Sequence, residues 1–319
     1  MTTPIAIVGA PSSIGIRPYD EGGHRRLDLA PRALREQGLV ARLAARDRGD
    51  VTPPPYRDFE RRGVRPRNED DVAAYSRALA ERVAAASADG EFVLVLGGDC
   101  SIVLGCLLGA RGNGRVGLIY VDAHADFASP EESSTGSAAS MCLALAVGRG
   151  DTPLARLSGE RPLVRPEDVV LLARRDHGES WYGHDALAAS AILDLPHDAV
   201  RASGPGGAAR AALERLVGNG VDGFWIHVDA DVLDPELLPA VDSPTPGGLG
   251  LEELAGLVRP LVRHPGAIGL ELTIYDPALD PDRNGAARLA DLLVEVLADD
   301  AVAVHSAEAT RDSRSHDRT

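Results

Sequence analysis

The chain predicts an α/β fold, a parallel sheet covered by helices on both faces. Three observations carry that prediction. Apolar, β-rich runs alternate with alanine- and leucine-rich helical stretches almost to the end of the sequence. With 319 residues and 44% hydrophobic content, and no compositional break, the chain can bury one large core. Three of the apolar runs end in short polar segments of ligand-type residues, which belong at the carboxyl ends of strands in open parallel sheets.

The elements follow in order. Strands are expected at Ile5–Val8, Phe92–Leu96, Val116–Val121, Val169–Leu172, Phe224–Val228 and Ala267–Leu272. Helices are expected at Pro31–Gln37, Val72–Ser87, Ile102–Ala110, Ala208–Val217, Leu251–Val262 and Ala286–Ala298. Arg46–Arg67, rich in proline and arginine, reads as a surface excursion, and Phe127–Ser140, small and polar, as an active-site loop. One domain is expected over 1–307, with a frayed tail over 308–319 that ends RDSRSHDRT.

Composition excludes several classes. A net charge of −15 argues against nucleic acid or an anionic membrane as partner; it would favour a small cationic substrate, though an acidic surface more often serves solubility. The segment MTTPIAIVGAP lacks the basic start of a signal peptide, and no apolar run reaches the roughly 20 residues that span a bilayer. Three cysteines, Cys100, Cys106 and Cys142, make no paired framework, so a cytoplasmic location is expected. Association into a homo-oligomer is left open.

The chemistry concentrates in two sets of residues. Asp122, His124 and Asp126 follow VGLIYV, and Asp229 and Asp231 follow GFWIHV. Side chains two apart on a strand project from one face, so each set converges at a strand end. Four carboxylates and an imidazole held this close repel one another unless a cation joins them. Two ions sharing bridging carboxylates use all five groups, which points to a binuclear metal site for hydrolysis. Asp234, before Pro235, is expected to organise a turn. His227 is expected to point to the opposite face from Asp229, packed or hydrogen-bonded.

GGDC at 97–100, DAHADF at 122–127 and DADVLDPELLPAVDSPTPGGL at 229–249 resemble the signature segments of the arginase/agmatinase ureohydrolase family. The resemblance extends to Gly9, Gly15, Gly22 and Gly23 ahead of Ala30-Pro31. It implies a three-layer α/β/α domain around a parallel, mainly eight-stranded sheet. It implies one metal held by Cys100, Asp122, Asp126 and Asp229, and a second held by His124, Asp122, Asp229 and Asp231. A hydroxide between the ions would attack the guanidinium carbon. Manganese is the metal the family usually holds, in keeping with an oxygen-rich donor set. Loop residues 131–137 would meet the amino-acid end of the substrate, with Thr135 and Ser137 foremost among them.

Three departures from the family pattern bear on the substrate. Cys100 stands where the family has histidine; a thiolate still binds a divalent ion but shifts preference toward zinc, iron or cobalt. No histidine occurs between Phe127 and Val147, where the family keeps one for proton transfer; the ungapped position falls near Ala139. Glu131, Glu132, His177 and His184 are the candidates to replace it. Aligning Pro277 places Ile274 where the family has a guanidinium-binding glutamate, with Glu271 three residues earlier as the alternative anchor. Cysteine with the loop histidine absent resembles the variant ureohydrolases that cleave N-hydroxylated arginine to hydroxyurea and ornithine. The expected activity is therefore amidinohydrolysis of a guanidino or N-hydroxyguanidino derivative of arginine. Agmatinase, guanidinobutyrase and formimidoylglutamase chemistry are the alternatives. From other classes come a catalytically dead relative serving as a binding module, and a nucleotide-binding protein using LGGDCS. The last lacks the P-loop lysine and the GxGxxG spacing.

Overall fold

The computed structural model describes residues 3–298 except 21, 160–161 and 179–182, so the expected tail and the boundary at 307 lie outside the described residues. Eight strands form one sheet: β1 (Ile5–Gly9), β2 (Arg46–Asp50), β3 (Phe92–Leu96), β4 (Val116–Val121), β5 (Val169–Leu172), β6 (Leu193–Leu195), β7 (Gly223–Asp229) and β8 (Ala267–Thr273). Their order across the sheet is β2-β1-β3-β8-β7-β4-β5-β6, and every pairing is parallel. Parallel pairing demands crossovers, and the helices Glu69–Ala88, Val103–Ala110, Pro205–Gly218 and Leu251–Val262 lie in four of them, while Asn284–Leu297 follows the last strand.

The central strands are apolar because both faces are covered. Every residue of β3, β4 and β7 is buried, and the core runs through them without interruption. The six expected strands are all present; β2 and β6 were not foreseen. RDRGD carries no apolar residue, so β2 could not be read as a strand, and the excursion expected from Arg46 begins at its end instead. It is an edge strand held through its charges, with Arg35 paired to Asp47 and Asp50, and Arg48 paired to Glu91. Charged edges of this kind discourage pairing with another chain.

The strand order brings the chemistry together. β3, β8, β7 and β4 are consecutive neighbours in the sheet although far apart in sequence. Their carboxyl ends carry Cys100, Ile274, Asp229 with Asp231, and Asp122 with His124 and Asp126. No helix among the described residues is long and apolar enough to cross a membrane.

Candidate metal centre

After β3 the chain turns through Gly97 and Gly98 into a short 3-10 helix that begins at Cys100. A Cβ on Gly98 would collide with the Ser12 backbone, so only glycine lets the β1 and β3 ends approach this closely. Asp99 is buried and ties the turn: its carboxylate accepts from the Gly15 and Ser101 amides at 3.1 and 3.0 Å. Cys100 is thereby fixed facing the β7 end, its thiol 2.8 Å from Asp229 Oδ2 and 3.7 Å from Thr273 Oγ1.

The two aspartate sets share one local construction. Asp122 Oδ1 accepts the amide of His124 at 2.6 Å, and Asp229 Oδ1 accepts the amide of Asp231 at 2.8 Å. Each first aspartate thus closes its own turn with one oxygen and leaves the other for a different partner, Cys100 for Asp229 Oδ2 and the Nε2 side of His227 for Asp122 Oδ2. His124 Nδ1 lies 3.0 Å from Asp231 Oδ2, joining the sets across β4 and β7. Asp126 sits at φ 45°, a left-handed conformation that aspartate tolerates, and accepts the Tyr120 hydroxyl at 2.6 Å. Arg175, beyond β5, braces the loops by donating to the Asp231 and Thr245 carbonyls at 2.8 and 2.7 Å.

The electrostatics are those of crowded carboxylates. Burial and then the neighbouring negative groups push Asp126 and Asp229 well above the usual carboxylate range, and Asp231 is also raised, chiefly by burial. Burial and then Asp229 likewise push the Cys100 thiol up. Asp122 is the exception: burial opposes its ionisation, but His124 and His227 hold it down at about 2. Ligand atoms of Cys100, Asp122, His227 and Asp229 lie within 4.8 Å of one another, as do those of Asp122, His124 and Asp231. Asp122 Oδ2, in the first group, is buried and makes no hydrogen bond. Such a donor set, crowded and with an orphaned carboxylate oxygen, fits divalent cations.

A cleft of about 150 Å³ opens onto these groups. Thr135 and Ser137 line it, together with Ala139, Ile274, Arg17, Arg25, Asp242 and Ser243. Arg61, from the 51–67 excursion, shapes this wall by donating to the carbonyls of Ser133 and Pro130. Gly136, at φ 72°, makes room for it, since a Cβ there would fall 2.6 Å from Arg61 Cδ. Asp234 organises the facing loop, accepting the amides of Glu236, Gly247 and Gly248 at 2.9, 3.0 and 3.1 Å.

Several expected roles are corrected. Glu271 does not reach the cleft: it is fully buried beneath it, bound to Trp225 Nε1 and 2.7 Å from His227 Nδ1. Glu131 is exposed and Glu132 is turned toward Arg149, at 2.7 Å; neither lines the cleft. His177 is exposed, and His184 Nε2 lies 3.2 Å from Asp176, so neither imidazole reaches the cleft for proton transfer. His227 is two residues before Asp229, hence on the same face, and its Nε2 lies 3.8 Å from Asp122 Oδ2. Tyr120, His227, Arg25 and Asp242 were missed. The two-residue period would have found the first two; the last two are placed by loops with no periodic signal.

The chain is similar to known proteins over nearly all of its described length. The model of the Arginase family matches residues 3–298. The arginase of Bacillus caldovelox is 32% identical over 302 residues, covering 91% of this chain and 96% of that protein. The arginase of Bacillus subtilis is 31% identical over 306 residues, covering 93% and 98%. The solved arginase structure from Bacillus caldovelox superposes with a TM-score of 0.82 at 29% identity, over 93% of this chain and 99% of that one. The chain belongs to the arginase family.

Proposed function

We propose that the chain is a binuclear metal-dependent amidinohydrolase whose preferred substrate is an N-hydroxylated arginine, cleaved with water to hydroxyurea and ornithine. The observation that carries the substrate is Ile274. It lines the cleft where a carboxylate would pin a guanidinium, and it puts a hydrocarbon face there instead. An N-hydroxyguanidine is less basic than a guanidine, so it needs less charge pairing and less acid help for its leaving group.

Cys100, Asp122, Asp126 and Asp229 would hold one ion, and His124, Asp122, Asp229 and Asp231 the other. Manganese is expected, with the thiol drawing the first position toward zinc, iron or cobalt. The chemistry such ions would supply when bound is Lewis acidity, which lowers the pKa of water toward neutrality. The rest falls to the side chains. Thr135 and Ser137 present hydroxyls to the amino-acid end of the substrate. The buried Arg25 is paired with Asp242 on the same wall, which offers a cation for the substrate carboxylate and an anion for its amine. Ala139 and Ile274 put apolar faces into the cleft beside the guanidino group and contribute no proton.

The test is a side-by-side assay of urea release from L-arginine and hydroxyurea release from N-hydroxy-L-arginine. The expected kcat/KM ratio is at least about 100-fold in favour of the hydroxylated compound, ~3 kcal/mol of barrier. Equal or better turnover of arginine overturns the substrate assignment and leaves the family untouched.

A further inference from the structure

His227 lies at the floor of the site, fully buried on β7. Its Nδ1 is 2.7 Å from Glu271 Oε1 on β8, and the other Glu271 oxygen accepts from Trp225 Nε1. A carboxylate only accepts, so Nδ1 carries a proton toward it, and Nε2 is the nitrogen that can release its proton and offer a lone pair to a cation. Nε2 makes no hydrogen bond, and neither does the oxygen it faces, Asp122 Oδ2, 3.8 Å away. The Tyr120 ring stacks on the imidazole, with centroids 4.0 Å apart and planes 10° from parallel, and fixes the direction in which Nε2 points.

An imidazole oriented by a carboxylate on one nitrogen and bare on the other is the usual arrangement of a metal-binding histidine. Here the bare nitrogen joins Cys100, Asp122 and Asp229 in a group whose ligand atoms lie within 4.8 Å of one another. We propose that His227 Nε2 is a direct donor to the ion on the Cys100 side. That position is then a thiolate, imidazole and carboxylate site, which takes a borderline ion such as zinc or cobalt in preference to manganese. The His124 side, completed by Asp122 and Asp231, keeps its oxygen-rich character and suits manganese. This inference rests on the reading of the two aspartate sets as a metal centre.

The first experiment uses the unaltered protein. With histidine labelled by nitrogen-15 and the metal-depleted protein reloaded with cadmium-113, two imidazole nitrogens are expected to show coupling to cadmium, from His124 and His227. Coupling from a single imidazole overturns the proposal while leaving the metal centre in place. No bound cadmium at all overturns the metal-centre reading itself. The second experiment is equilibrium dialysis against equimolar zinc and manganese. The expected content is one zinc and one manganese per chain, with His227→Asn losing zinc affinity more than about 100-fold and Glu271→Gln about 10-fold. Manganese content should stay within about threefold in both. Zinc affinity unchanged in a folded His227→Asn overturns the proposal.

Discussion

Cys100 and Asp229, 129 positions apart, meet with the thiol sulfur 2.8 Å from the carboxylate Oδ2, and so join the ends of β3 and β7 across β8. Each of the two is pushed above its ordinary pKa, first by burial and then by the other acidic groups. Without a cation the contact is a thiol donating to a carboxylate. In the proposed metal centre both would be ligands, and both would give up their protons on binding the ion.

Cys100→His follows from that contact. The variant is expected to fold and to hold manganese more tightly, since imidazole is a harder donor than thiolate. Thermal melts with and without manganese check this. Were Cys100 only a packed thiol, the larger ring would destabilise the protein by about 1–3 kcal/mol whether or not metal was present.

Asp122 belongs to both donor groups and Asp229 is the second bridge of the proposed centre, whereas Asp126 gives one oxygen to Tyr120. Asp122→Asn or Asp229→Asn should therefore empty the site of both ions, and Asp126→Asn should empty it less completely. Elemental analysis of the purified variants measures this. Near-zero metal in manganese-supplemented unaltered protein would remove the basis for the comparison and favour a binding module.

The metal-free protein should lose stability as pH rises above the ordinary carboxylate range and on to about 9. Asp126 and Asp229 are raised well above 3.8, so they bind protons more tightly folded than unfolded and stabilise the fold chiefly at low pH. His227, raised to about 9 by Asp122 and Glu271 against the pull of burial, contributes fully below 6.5 and loses that contribution as pH rises from there to about 9. Asp122, held at about 2, runs the other way, but only below about 3.8. Added manganese replaces the protons and should flatten the profile. A Tm that climbs with pH in chelator-treated protein contradicts this account.

Ile274→Glu returns a carboxylate to the cleft. The position has φ 66°, which suits a β-branched side chain poorly, so the exchange is not expected to strain the backbone further. L-Arginine turnover should improve by about tenfold, ~1.4 kcal/mol, and narrow the preference for the hydroxylated substrate. An unchanged ratio of kcat/KM values would show that the anchor for the guanidino group lies elsewhere, with Asp242 the next residue to alter.

Arg61→Ala tests the brace behind the loop that carries Thr135 and Ser137. Freed from the Ser133 and Pro130 carbonyls, that wall should position the amino-acid end less well and raise KM by roughly tenfold, with metal content unchanged. Metal loss in this variant would mean that the loop supports the centre as well as the cleft.

What the sequence determined by itself was everything that periodicity and local chemistry encode. Apolar runs marked the six inner strands because both their faces are buried. The spacing of Asp122, His124 and Asp126, and of Asp229 and Asp231, put each set on one strand end. The same two-residue rule, applied to Tyr120 and His227, also places them under the site. The tertiary structure alone decided what depends on partners distant in the chain. RDRGD is a strand only because β1 and the charges of Arg35 and Glu91 hold it. Glu271 is a buried acceptor rather than a substrate anchor because β7 lies beside β8 and sets Trp225 and His227 against it. Asp242 and Arg25 reach the cleft through loops, whose paths are fixed by hydrogen bonds from Asp234 and Arg175 rather than by any repeat in the sequence. A strand end can be located from local pattern, but which strands neighbour one another is set by packing of the whole sheet, and the donors of this site meet only because β3, β8, β7 and β4 do.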